Sequence, residues 1–248
     1  MIFIGDTHGL RPIFSIIDRH KLTSQHLIHV GDLGLGFVSI MQDVKNLDVL
    51  DEMLMETNNH LYAIRGNHDN PIFWDKSKGL NLPKYHNLHL VEDFDVLRIE
   101  NKHILFAGGA ISIDMRPRLI DLPYPSWWKD EVFKYDEKKM ENIIYGKNID
   151  IVVTHSAPDF CFPRGSNNYL VNEYAAVEMQ HGIDLHKQLA EERSEITRMY
   201  NDLTKHYLMK PKYWFYGHFH NTKTEDIDGT LFKLLNINEI YEVSNVPH

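Results

Sequence analysis

Short runs of consecutive apolar residues alternate with amphipathic stretches along the first third of the chain. Met1 to Ile4, His26 to Val30 and Leu61 to Ile64 read as strands, and Pro12 to His20 and Ser39 to Thr57 as helices between them. Continuous short apolar runs suit strands buried on both faces, and intervening helices suit crossovers between parallel strands. After residue 80 the strands come closer together, at Leu88 to Val91, Asp95 to Ile99 and Ile104 to Ala107, and this spacing predicts a meander. Pro117, Pro123 and Pro125 among aromatics make residues 112 to 135 an irregular loop. A helix follows over Asp136 to Lys147, then a strand at Ile149 to Thr154. Apolar residues from Leu185 to Tyr207 recur near every 3.6 positions and mark a long helix ended before Pro211. Lys212 to Tyr216 and Leu231 to Leu235 close the series as strands. The sum predicts an α/β chain, two sheets face to face with helices outside, forming one domain over residues 1–248.

The polar residues are informative because of where they interrupt this pattern. Strand after strand runs into a short polar motif: Gly5-Asp6-Thr7-His8-Gly9, Gly31-Asp32, Gly66-Asn67-His68-Asp69, Thr154-His155 and Gly217-His218-Phe219-His220. Ligand sites of α/β sheets gather beyond the carboxyl ends of strands. Convergence of these ends would bring Asp6, His8, Asp32, Asn67, His155, His218 and His220 into one pocket. Each motif alone is ordinary turn or cap chemistry. Their coincidence with successive strand ends is not.

Composition narrows the chemistry. The 248 residues carry a net charge of −9, which speaks against a stable complex with a nucleic acid backbone. Bound divalent cations would still reverse the local field and admit a phosphorylated substrate. Sixteen histidines are many for this length, and imidazole is the commonest metal ligand at neutral pH. The single cysteine, Cys161, excludes an internal disulfide and reads as a small apolar residue. No apolar run is long enough to span a bilayer, and no basic segment with an apolar core opens the chain. The expectation is a cytoplasmic enzyme without membrane association.

Carboxylates, an amide oxygen and imidazoles make a mixed O/N donor set, suited to Mn, Fe, Zn or Ni rather than to Ca. Seven such ligands with one carboxylate shared would supply two divalent or trivalent ions, manganese foremost. The motif series resembles the calcineurin-like metallophosphoesterase superfamily, in that family's order and over residues 5 to 220. The resemblance implies a β-sandwich flanked by helices. It implies that Asp6, His8, Asp32 and His220 hold one metal and that Asp32, Asn67, His155 and His218 hold the other. It further implies that His68 binds no metal but faces the scissile phosphate, where it protonates the leaving alkoxide after a bridging hydroxide attacks phosphorus.

Departures refine the expectation. Protein phosphatases of that superfamily extend the second motif to Gly-Asp-x-x-Asp-Arg-Gly, whereas this chain reads Gly31-Asp32-Leu33-Gly34-Leu35-Gly36-Phe37. The Asp that would orient the catalytic histidine is Leu35, and the phosphate-gripping arginine is absent. Asp69 is the neighbouring candidate to orient His68. Arg116, Arg118 and Arg164 are candidate phosphate contacts, each weighed against a solvated surface arginine. Trp127 and Trp128 are a lid or a packed loop. The run Gly108 to Asp114 resembles a bacterial branch of the superfamily without a settled substrate. Phosphomonoester hydrolysis is the leading expectation, on a phosphorylated small molecule, nucleotide or phosphopeptide. The alternatives are a phosphodiesterase or nucleotide hydrolase, and a protein-binding scaffold of the same fold without catalysis.

Overall fold

Alternation along each strand sends successive side chains to opposite faces, and in this chain both faces are apolar. A computed structural model describes residues 1–120, 126–163 and 168–243. It contains two sheets. The first has the order β11-β1-β2-β3-β4, built from β1 (Ile2–Ile4), β2 (His26–His29), β3 (His60–Ala63), β4 (Leu88–Leu90) and β11 (Ile240–Glu242). Its strands are parallel except β11, which runs antiparallel to β1. The second has the order β5-β6-β7-β8-β10-β9, from β5 (Val96–Ile99), β6 (Lys102–Ala107), β7 (Ile151–Thr154), β8 (Tyr213–Tyr216), β9 (Lys223–Ile227) and β10 (Thr230–Leu234). Here β6, β7, β8 and β10 are parallel and the edge strands β5 and β9 antiparallel.

The inner faces meet through Phe3, Ile28, Val30, Ile104, Phe106, Val153 and Phe215, all buried. Phe3 of one sheet and Phe215 of the other stack with ring centroids 3.6 Å apart. Ile2, Ile4, Leu27 and Leu61 point the other way, onto α1 (Arg11–Arg19) and α2 (Ile40–Glu56). On the far side Leu105, Val152, Trp214 and Phe232 pack against α4 (Glu137–Ile144) and α6 (Leu185–Asn201). The sandwich flanked by helices is therefore as expected. Helix boundaries follow local chemistry: the Ser39 side chain accepts from the Gln42 N–H, Asp136 from Lys139 and Asp184 from Lys187.

Three expectations are corrected. The meander does not form, because β4 joins β3 in the first sheet while β5 and β6 pair in the second. The buried Asp51 carboxylate of α2 accepts from the N–H groups of His86, Asn87 and Leu88, which seats β4 beside β3. The expected loop contains α3 (Met115–Ile120). Pro117 stands in its first turn, where a missing N–H breaks no intrahelical bond. Pro123 and Pro125 lie outside the described residues. The long helix stops at Asn201 and continues through a π-helical turn at Asp202–His206. Helix α5 (Asn168–Met179) and strands β9 and β11 carry no clear periodic signal in the sequence and were not anticipated.

Candidate metal centre

The carboxyl ends of β1, β2 and β3 in one sheet and of β7 and β8 in the other open at one edge of the sandwich, and the polar motifs meet there. The backbone bends sharply to achieve this. His8, Asp32, His218 and His220 all adopt left-handed conformations, with φ of 47°, 59°, 68° and 47°. Such conformations are unfavourable for residues with a Cβ and concentrate at functional sites. Glycines let the strands close in: a Cβ on Gly66 would stand 2.0 Å from Asp32 Oδ1, and one on Gly217 equally close, at 2.0 Å, to Asp6 Oδ1.

Asp6, His8, Asp32 and His220 each offer one ligand atom, and these atoms lie within 4.8 Å of one another. His8 Nε2 is 3.0 Å from His220 Nε2, and His220 Nε2 is 3.5 Å from Asp6 Oδ2. Asp6 Oδ1 is buried without a hydrogen-bond partner. A buried carboxylate oxygen with no donor beside it and two imidazole nitrogens aimed at one point fit a cation between them. The other residues gather around the second oxygen of Asp32. His155 Nε2 is 3.2 Å from Asp32 Oδ1 and 3.1 Å from Asn67 Oδ1. His218 Nδ1 is 2.9 Å from the same Asn67 oxygen. Asp32 Oδ2 faces the first group, 3.9 Å from His8 Nδ1. All seven residues singled out in the sequence are thus together.

Their surroundings fix which atoms face inward. His155 Nδ1 is bonded to the Val30 carbonyl at 2.8 Å, so it carries the proton and leaves Nε2 for the pocket. Asn67 Nδ2 donates to Ser112 Oγ at 3.0 Å, turning Oδ1 toward the histidines. The field favours positive charge. Burial opposes the charged form of His155, but Asp32, by charge and hydrogen bond, and Asp6 raise its pKa to about 10. Burial would raise Asp32, yet its histidine neighbours, His155 foremost, hold it well below the usual carboxylate range. Burial, then His155, keep His218 well below its ordinary value and so neutral. A pocket that draws a proton onto His155 is one in which a cation can take that proton's place.

Some supporting residues escaped sequence reading. His29, lowered to about 3 by burial, is neutral. Its Nδ1 accepts from Gly31 N–H at 3.3 Å, so Nε2–H donates to Thr7 Oγ1 at 3.1 Å and ties two motifs together. Asp69 does not orient His68, because its carboxylate accepts from the N–H groups of Leu33, Gly34, Leu35 and Gly66. Asp114 stands beside His68 instead, with Oδ2 3.9 Å from His68 Nε2. Asp114 Oδ1 is 3.6 Å from Arg118. Arg118 is buried, donates to the Asn67 carbonyl at 2.9 Å and contacts Ser112, Ser126 and Glu131. Arg116 donates to Glu178 at 3.0 Å. Both arginines thus serve the scaffold, and neither is among the residues that line the pocket; Arg164 lies outside the described residues. Trp128 packs beside Phe37 with ring centroids 6.0 Å apart, a packed loop rather than a lid. Trp127 lines a second cavity together with Glu131, Phe133 and Glu192.

A model of the family described as calcineurin-like phosphoesterase matches residues 1–222. The chain belongs to that family. This metallophosphoesterase shares its fold with a solved crystal structure of 12% identity, which superposes with a TM-score of 0.57 over 95% of this chain and 90% of its own. A Staphylococcus aureus protein assigned as a 5'-nucleotidase, in complex with alpha-ketoglutarate, aligns at 13% identity over 93% of this chain and 44% of that one, TM-score 0.43. A phosphopantetheinyl hydrolase from Mycobacterium tuberculosis aligns at 13% identity over 95% of the phosphoesterase and 89% of its own length, TM-score 0.39. No curated protein matches the chain. Among the described residues of the phosphoesterase, no helix is long and apolar enough to cross a membrane.

Proposed function

We propose that this chain hydrolyses phosphate monoesters at a dinuclear metal centre. Asp6, His8, Asp32 and His220 hold one ion, and Asp32, Asn67, His155 and His218 the other, with manganese the proposed metal. The observation that supports the reading is the position of Asp32, with one carboxylate oxygen toward His8 and the other toward His155. When bound, a pair of divalent cations at such a site neutralises phosphoryl oxygens and acidifies water near neutral pH.

The remaining work belongs to side chains. The His68 N–H of the backbone donates to Asp32 Oδ1 at 2.7 Å, which fixes where the His68 ring begins. The ring stacks on Phe37, centroids 5.8 Å apart, and meets His8 edge-on at 5.0 Å. His68 therefore borders the centre and is free to give a proton to the departing alkoxide as general acid. Asp114 takes the orienting role that Leu35 cannot perform. Burial lowers the His68 pKa, the Asp32 charge opposes that, Arg118 lowers it further and Asp114 raises it, so Asp114 is the group on this side that favours the protonated imidazole. A cytoplasmic, reducing setting is proposed, in which buried Cys161 stays a thiol.

The test is turnover of an aryl phosphate monoester, and of the matching diester, by purified chain with added Mn²⁺. Monoester turnover should exceed diester turnover, and Asp32→Ala and His155→Ala should abolish both. Unchanged turnover in either variant overturns the proposal. A faster diester would move it to a phosphodiesterase, and a chain that neither binds metal nor turns over either ester would be a scaffold.

A further inference from the structure

We infer that the alcohol or phenol released by this chain is apolar and sits in the cavity that opens beside the metal centre; the inference rests on reading that centre as a phosphoesterase site. The cavity is about 520 Å³, a size that takes a ligand well beyond the phosphoryl group. One end is formed by the candidate metal ligands together with His68. The rest of the lining is mostly apolar, with Ile113, Phe162, Val171, Tyr174, Leu189 and Phe219 beside the polar Asn172 and His186. Ile113, Val171, Tyr174 and Leu189 belong to one packed apolar cluster joining α5 to α6. Phe162 and Phe219 lie with ring centroids 6.4 Å apart. The ion pair of Arg116 with Glu178 ties α3 to α5.

Charge weighs against a polyphosphate substrate. Among the described lining residues there is no lysine and one arginine, Arg193. Its guanidinium lies 4.2 Å over the Phe162 ring, which fixes the plane and leaves the N–H edge for a single polar group. A polyphosphate would meet the Asp114 carboxylate and a mostly apolar lining, with Arg193 alone among the described lysines and arginines of the lining to receive its second and third groups. An aryl or alkyl group would bury its surface there and gain from every methylene.

The experiment is calorimetric binding of non-hydrolysable phenylphosphonates bearing para hydrogen, methyl, propyl or pentyl groups to the Mn²⁺-loaded chain. Kd should fall roughly fourfold per methylene, and inorganic phosphate should displace the pentyl member. In Val171→Asp the gain along the series should be largely lost. A Kd that stays flat or rises along the series overturns the inference, as does a pentyl member that phosphate fails to displace, or an undiminished series in folded Val171→Asp. Hydrolysis of the matching phosphates reports separately on the proposed function. A steep phosphonate series without turnover would count against phosphoester hydrolysis and leave the apolar cavity standing.

Discussion

Replacing Asp114 by Asn removes one charge beside His68 while keeping the shape of the side chain. The two groups are 3.9 Å apart, with side chains 23% and 29% exposed. Unit charges at that distance interact by about 4 kcal/mol at the effective dielectric of a protein surface and by about 1 in bulk water. Partial exposure places the pair toward the lower figure, so about 1–2 kcal/mol of support for the protonated imidazole is lost. Arg118, left without its anion on that side, acts in the same direction. Each 1.4 kcal/mol is about tenfold in rate, so kcat for an alkyl phosphate should fall about tenfold. A nitrophenyl ester, whose leaving group needs no proton, should be nearly unaffected. The assay is steady-state kinetics on both esters, with metal content measured on the same samples. Equal losses for the two leaving groups, or an unaltered alkyl ester rate, would refute the role given to Asp114. A fall in bound metal would show that Asp114 acts on the ligands instead.

Other outcomes follow from the same geometry. His220→Ala should lower the bound metal, read by elemental analysis, because it removes one donor from the group around Asp6 while leaving Asn67, His155 and His218 intact. Phe3→Ala should cost about 3–5 kcal/mol of stability in denaturant unfolding, since it empties the stack between the two sheets. Burial raises Glu192 to about 7, above its unfolded value of about 4.3. The folded chain therefore holds a proton that the unfolded chain has released, and stability falls as pH rises through that window. Glu192→Gln should flatten that decline in thermal unfolding, raising Tm near pH 8 and leaving it unchanged near pH 4; a parallel offset at both would refute the assignment.

Local sequence was enough to mark the residues that gather at the strand ends and to place two sheets inside flanking helices. Asp6, His8, Asp32, Asn67, His155, His218 and His220 were legible because each stands where an apolar run stops, and a strand end fixes both position and direction. The apolar runs themselves settle burial on two faces, hence helices outside and sheets within. What the tertiary structure alone decided depends on contacts between distant segments. Nothing local says that Leu88–Leu90 should pair with β3, because the deciding bonds come from Asp51 on α2. Asp69, four positions after Arg65, gave no sign that the backbone of Leu33 to Leu35 would claim its carboxylate. Asp114 lies 46 residues beyond His68 in the sequence, and only the folding of its loop over the centre puts it beside that ring. Hydrophobic periodicity is a property of single elements, whereas a carboxylate's partner is chosen by whichever backbone or ring the assembled fold delivers within reach.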